Sequence, residues 1–261
     1  MPTQLTGLYR YPIKSGQGQR LQQTELLSSG MPFDRTWMIA RPNGRLVTGR
    51  EFPKLVLLSA TPDHDGLTLN APGMPALFIA TSLFSQPHPA SVWKNDFTAH
   101  HGASDADAWL SAYLEEQVIL LWSGFELNRR STTNVPIAFV DGHPLLLISE
   151  ASLGDISERV GRSLSMQRFR PNLIVDGGSA FVEDSWKKIR IGEAIFNFVK
   201  PCERCAFTTV NPKTGEKSHD QEPLRTLAQY RKTAAGVLFG QNINVEKSGI
   251  ISEGMTVEVL E

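Results

Sequence analysis

The sequence is poor in cysteine, in net charge and in long apolar runs, and each shortage excludes something. Two cysteines in 261 residues rule out a disulfide-scaffold fold. They are Cys202 and Cys205, with no second Cys pair to complete a four-ligand zinc site. The histidines (His64, His88, His100, His101, His143, His219) keep no ligand spacing to them, and the side chains of adjacent His100 and His101 diverge in a strand. A formal net charge of −1 removes the electrostatic argument for nonspecific binding to nucleic acid or a membrane surface. Apolar runs such as residues 118–122 fall far short of the roughly 20 residues of a membrane helix. The opening MPTQLTGLYR has no basic segment followed by an apolar one, so no signal peptide is expected. The expected compartment is a reducing cytoplasm. No Gly-x-Gly-x-x-Gly joins a strand to a helix, and no Walker loop is present, which disfavours a Rossmann domain and a P-loop site.

What is there suffices for a sizeable core. Hydrophobic residues make up 41% and charged residues 20%, enough for one large or two ordinary domains. Short strands are expected at 6–11, 20–26, 37–40, 45–48, 55–60, 67–70, 76–80, 117–122, 136–140, 145–148, 173–175, 186–191, 194–199, 206–210, 243–245 and 256–260. Asn43-Gly44 is a two-residue hairpin signal between two of them. Three helices are expected. One is capped by Ser104, with Asp107 completing a partial capping box, and carries the stripe Trp109, Leu110, Tyr113, Leu114. One is capped by Ser149 or Ser152, carries Leu153, Ile156 and Val160 inward, and ends at Gly161. One starts at Pro223. Residues 85–89 read as a polar, Pro-containing loop, and 128–134 as the junction between domains. The fold class is α+β, mostly β, with a barrel.

Both cysteines lie in residues 200–215, KPCERCAFTTVNPKTG. Arg204 beside Cys205 favours the thiolate. Four readings compete: two small residues packed at a strand end, a zinc site, a redox dithiol, and one thiolate ligating a soft metal carried by a cofactor. The dithiol reading wants a helix N-terminus, whereas residues 206–210 read as strand. Elsewhere the residues hint at an anion. The Gly-rich loop 12–18 carries Lys14 and Ser15, and is either a plain turn or an anion cradle. Arg35 either pairs with Asp34 or adds a second cation. Arg168, Arg170 and Asn172 at a strand entry are either anion-recognising or a solvated basic edge.

Several segments together resemble one family: Tyr11-Pro12-Ile13-Lys14-Ser15, Phe33-Asp34-Arg35, Asp141 with Ser149-Glu150-Ala151-Ser152-Leu153, Phe169-Arg170-Pro171-Asn172, Glu183-Asp184-Ser185-Trp186, Lys200-Pro201-Cys202-Glu203-Arg204-Cys205, Thr208-Thr209-Val210 and Phe239-Gly240-Gln241-Asn242. The chain is similar to the MOSC-domain family of molybdenum cofactor proteins, preceded by the MOSC N-terminal β-barrel domain. Within that family the likeness is to the branch of bacterial YcbX and the mitochondrial amidoxime-reducing component. The resemblance implies an N-terminal β-rich domain over 1–120 and a MOSC β-barrel domain over 121–261, with residues 1–35 packing on the second. It implies molybdenum bound to molybdopterin, with Cys205 as the protein's metal ligand. Lys14, Ser15, Arg35, Arg170 and Asn172 would hold the cofactor. Asp141, Gly142, Glu203 and Arg204 would line its metal end, and His143 is a candidate acid. Pyridoxal phosphate binding is a further property that it implies.

The implied activity is reduction of N-hydroxylated compounds such as hydroxylamines, amidoximes and N-hydroxylated nucleobases. No cysteines remain for an iron–sulfur centre, so electrons are expected from a separate flavin or iron–sulfur protein. The alternative is a module that binds the cofactor or carries sulfur without reductase activity of its own. Neither nucleic acid nor a membrane is an expected partner. On either reading, Lys14 and Arg35 should meet Arg170 and Cys205 in one basic pocket.

Overall fold

The short strands sort into two lobes in a computed structural model that describes residues 2–261. The larger lobe is built on a nine-stranded sheet. Its path runs Gln19–Leu21, Leu5–Arg10, Leu173–Val175, Leu145–Ser149, Gly236–Lys247, Ala194–Arg204, Lys188–Ile191, Val257–Val259, and Lys232–Thr233 adds to Gly236–Lys247. The central pair, Ala194–Arg204 with Gly236–Lys247, is antiparallel and shifts register between Phe198 and Lys200 and between Pro201 and Glu203. Such bulges bend a strand and re-aim its side chains. Here they fall where the chain approaches Cys202.

Leu145–Ser149 and Leu173–Val175 pair in parallel, and helix α2 (Glu150–Val160) lies in the crossover between them. Its N-cap is Ser149, whose Oγ accepts from the Ser152 amide at 3.1 Å, and Gly161 ends it in the left-handed region. Inside the lobe Leu5, Leu8, Leu147, Leu173, Ile189, Phe196 and Ile243 are fully buried. The strand Gln23–Leu26 pairs with Gly249–Ser252. The strands Leu5–Arg10, Gln19–Leu21 and Gln23–Leu26 therefore belong to the lobe made by the second half, whereas Ile13 between them packs in the core of the smaller lobe.

The smaller lobe holds two antiparallel sheets. One runs Trp37–Ala40, Ile119–Trp122, Asn95–His101, Gln86–Val92, and the other Ser59–Pro62, Gly66–Asn70, Leu77–Ala80. Helix α1 (Ser104–Leu114) buries Ala106, Trp109, Leu110, Tyr113 and Leu114 in the core formed with Ile39, Val47, Leu55 and Leu67. Because Ile119–Trp122 pairs with Trp37–Ala40, the chain leaves this lobe only after Trp122. A division at residue 120 would cut that strand. No helix among the described residues is long and apolar enough to cross a membrane.

Several local expectations give way to the structure: residues 45–48 make only isolated bridges, and of 136–140 only Pro136–Ile137 is strand. Residues 206–210 form not a strand but the 3-10 turn Ala206–Thr209. The hydroxyls of Thr208 and Thr209 donate to the carbonyls of Cys205 and Ala206, a local bond that Thr can offer in place of a sheet ladder. Residues 85–89 fall largely in the strand Gln86–Val92, which tolerates Pro87 and Pro89 at the edge of its sheet. Residues 55–60 split into the 3-10 segment Pro53–Leu57 and the strand Ser59–Pro62. Ser104 does not cap α1. Asp107 instead accepts from the Leu120 amide at 2.7 Å and meets His101 Nε2 at 2.6 Å, tying the helix to its own sheet.

Candidate functional site

The two lobes meet at a cleft open to solvent. Lys14, Ser15, Arg35, Asp141, Gly142, Arg170, Asn172, Glu203, Arg204 and Cys205 all line it, although they come from distant segments.

Lys14 enters on the loop after Leu5–Arg10, where its amide donates to the Trp37 carbonyl at 2.9 Å. Ser15 then takes φ 69°, the left-handed region that lets the loop turn back. The Lys14 side chain is buried. Its Nζ donates to the Phe139 carbonyl at 2.7 Å and to Asp141 Oδ1 at 2.7 Å. Desolvation pushes the Lys14 pKa down and Asp141 opposes it. Asp141 feels desolvation in the other direction, but Lys14, the Trp93 indole N–H and Arg35 prevail and hold its carboxyl at about 2. Its outer face stays open, with 73% of the side chain exposed.

Arg35 does more for the fold than for the cleft. Its Nη1 reaches both oxygens of buried Asp34 at 2.7 and 2.6 Å, and its Nη2 donates to the Arg170 carbonyl at 3.1 Å. Asn172 is likewise engaged. Its Oδ1 accepts from the Leu146 amide at 3.1 Å and from Arg35 at 3.2 Å, and its Nδ2 donates to the Tyr9 carbonyl at 3.0 Å. We expect Asn172→Leu to destabilise the protein by about 2–4 kcal/mol, because the buried Leu146 amide and the part-buried Tyr9 carbonyl lose their partner, the buried group at about 1–3 kcal/mol and the other at less. Urea unfolding followed by circular dichroism reads this directly, and an unchanged midpoint would contradict it.

Arg170 is different. Its Nη1 donates to the Gly16 carbonyl at 2.5 Å, but its Nη2 is buried with no partner. The guanidinium lies 4.1 Å from the centre of the Tyr11 ring, and Arg35 lies 4.2 Å from the same ring. Burial, with help from Arg35, pushes the Arg170 pKa down to about 10. Arg204 donates only to carbonyls, those of Phe239 at 2.9 Å and Phe169 at 3.0 Å. Arg168 donates to the carbonyls of Thr208 and Thr209. Among the described residues Arg50, Arg168, Arg170 and Arg204 have no carboxylate partner, whereas Lys14 and Arg35 are paired with Asp141 and Asp34. The cleft therefore carries a surplus of positive charge, centred on residues other than Lys14 and Arg35.

The two thiols are unequal. Cys205 is exposed in the cleft, in extended backbone just before the turn Ala206–Thr209. Cys202 is half-buried against the cluster of Phe169 and Phe239, and burial pushes its thiol pKa up. His143 also lines the cleft. Its Nδ1 is buried without a partner, and burial and Lys200 lower its pKa.

Among the described residues no group of three His, Cys, Asp or Glu could hold a metal ion unaided. A metal at Cys205 must therefore bring ligands of its own. A soft, anionic, metal-bearing cofactor fits this donor set: one exposed thiolate candidate, unpaired guanidiniums and an orphaned Arg170 N–H.

Sequence reasoning missed the smaller lobe's share of the wall: Thr48, Gly49, Arg50 and Trp93. Gly49 is glycine for a steric reason, since a Cβ there would sit 2.2 Å from the Phe207 ring of the other lobe. The sequence signals were slight: a glycine after a hairpin arm, and a tryptophan at the two-residue turn between Gln86–Val92 and Asn95–His101.

The MOSC N-terminal beta barrel domain matches residues 3–117 and the MOSC domain residues 134–258. Mitochondrial amidoxime reducing component 2 of Bos taurus is 35% identical over 271 residues, 95% of this chain and 80% of that protein. Mitochondrial amidoxime-reducing component 1 of Homo sapiens is 33% identical over 277 residues, 97% of this chain and 82% of that protein. Among solved structures, the YuaD protein of Bacillus subtilis aligns over 99% of this chain and 96% of its own at 12% identity, with a TM-score of 0.46, a likeness that carries no argument. Domain order and relatives together place the chain in the MOSC-domain family, in which an N-terminal MOSC barrel domain precedes the MOSC domain.

Proposed function

We propose that this protein is a molybdenum-cofactor-dependent reductase of N-hydroxylated compounds. The observation that carries the reading is the pairing of an exposed cleft thiol, Cys205, with guanidiniums that lack carboxylate partners. The names of the amidoxime-reducing relatives supply the substrate class. For an amidoxime the balance is RC(NOH)NH2 + 2 H+ + 2 e− → RC(NH)NH2 + H2O. The N–O bond breaks, and the oxygen leaves as water. When bound, the cofactor supplies the two-electron couple. The electrons would come from a separate flavin or iron–sulfur protein.

The chain's own residues have distinct tasks. Cys205 would ligate the metal. Arg170 and Arg204 hold negative charge through N–H groups that otherwise meet only carbonyls or nothing. Lys14 reaches the cleft wall already neutralised by Asp141, so it shapes the pocket before it adds charge. His143, held neutral near pH 7 by burial, keeps one ring N–H to relay a proton. The same guanidiniums suit the phosphate of pyridoxal phosphate. Lys14, the one lysine on the wall, is tied to Phe139 and Asp141 and offers no free amine for a Schiff base. Two free thiols suit a reducing compartment, and we place the protein in the cytoplasm.

The test is protein expressed with molybdate, analysed for molybdenum and pterin and assayed with benzamidoxime and reduced methyl viologen. We expect stoichiometric metal and conversion to benzamidine. Bound cofactor without turnover would favour a carrier, and no bound pterin would end the cofactor reading.

A further inference from the structure

The smaller lobe sends two side chains over the cleft that the reading above leaves without a task. Trp93 stands at the tip of the hairpin between Gln86–Val92 and Asn95–His101, in the left-handed region at φ 56°. A tryptophan rarely adopts that backbone, so its surroundings must hold it there. The hold is visible: its indole N–H donates to Asp141 Oδ1 at 2.8 Å, the same oxygen that accepts from Lys14. Yet the residue stays 49% exposed. Arg50 lies beside it, its guanidinium carbon 4.5 Å from the indole centroid. Among the described residues the Arg50 side chain makes no hydrogen bond and no ion pair, and it lines the cleft with Trp93. Stacking uses a face of the guanidinium and leaves its edge, with its fork of N–H donors, free for a carboxylate or phosphate.

We propose that Arg50 and Trp93 form a substrate-selecting wall, which favours planar N-hydroxylated compounds bearing a carboxylate or phosphate. The inference rests on the reductase reading and adds the class of substrate. Both residues come from the smaller lobe and Cys205 from the larger, so the two sides of the cleft face a molecule bound in it. Arg50 takes the anionic substituent, and the exposed part of Trp93 takes the planar ring. Asp141, itself held by Lys14, anchors the indole N–H and so sets the orientation of the ring.

The experiment compares benzamidoxime with 4-carboxybenzamidoxime on the cofactor-loaded protein, for wild type, Arg50→Gln and Trp93→Leu. Wild type should prefer the carboxylated substrate in kcat/KM. Arg50→Gln should shift that preference towards the neutral compound about tenfold, mainly through KM, as expected for one lost charge-assisted hydrogen bond. Trp93→Leu should weaken both aromatic substrates relative to hydroxylamine. Molybdenum and pterin content are measured alongside. Loss of either in Arg50→Gln would overturn the proposal by assigning Arg50 to the cofactor, and so would an equal effect on both amidoximes. Tryptophan fluorescence titration with 4-carboxybenzamidoxime reads the wall without turnover. Saturable quenching that weakens about tenfold in Arg50→Gln supports the wall even if no amidoxime is reduced. Quenching unchanged in Arg50→Gln, or no saturable quenching in wild type, would overturn it even if the reductase reading holds.

Discussion

Cys205→Ser should abolish N-hydroxy reduction, by more than about 100-fold, while Cys202→Ser keeps most of it. Partners one shell away from a metal already control about 10–100-fold in affinity or activity, and a direct ligand should exceed that. Serine replaces a soft, ionisable thiol by a hard hydroxyl that stays protonated, a poor match for a metal held by sulfur. The structure separates the two cysteines on independent grounds. Cys205 is exposed to the cleft, so its thiolate form can be solvated or ligated. Cys202 is packed beside Phe169 and Phe239, and burial raises its pKa, which keeps it a thiol. Its loss should appear as a cost in stability of about 1–2 kcal/mol. Metal content, activity and the urea midpoint of both variants decide the matter. Equal loss of activity in the two would favour a dithiol mechanism, and an active Cys205→Ser would remove the metal-ligand assignment.

The sequence disclosed most where chemistry and backbone demand agree. Ser149 and Gly161 bracket α2 because a cap and a left-handed stop each need a narrow set of residue types. The segments around Lys14, Arg35, Arg170 and Cys205 were nameable from their patterns, and the structure brings them to one cleft. What each does there was not readable. Asn172 looks like a free ligand in the sequence, but Leu146 and Tyr9, distant in sequence, already occupy it; for Arg35 the structure takes the Asp34 pairing, one of the two alternatives its sequence leaves open. Arg50 and Trp93 were invisible for the opposite reason. Their place depends on one lobe seating against the other, through Gly49 on Phe207, and no local pattern encodes that contact. The turn Ala206–Thr209 shows the limit of propensity: a β-branched run folded into a 3-10 turn because its hydroxyls found local carbonyls.

Arg170→Gln should weaken cofactor retention by about 10–100-fold and leave the cofactor-free protein as stable as before or more so. The two halves of this expectation have one cause. A hydrogen bond to a charged group is worth about 1.5–3 kcal/mol, and Arg170 offers a charged donor, Nη2, that nothing in the protein accepts. Without an anion that group is a cost: it is buried, it lies near Arg35, and both effects lower its pKa to about 10. The Tyr11 ring eases the crowding by meeting both guanidiniums, whose carbons lie 4.2 and 4.1 Å from its centre. Removing an unpaired buried charge is often neutral or stabilising. Glutamine still fills much of the space without the charge. Arg35→Gln is the contrast, since it strands the buried carboxylate of Asp34 and should destabilise the fold with or without cofactor. Pterin fluorescence after oxidation, molybdenum by mass spectrometry and thermal unfolding of the cofactor-free proteins measure all three quantities. Full pterin content in Arg170→Gln would remove Arg170 from the cofactor site, and a marked fall in its melting temperature would make it a structural residue instead.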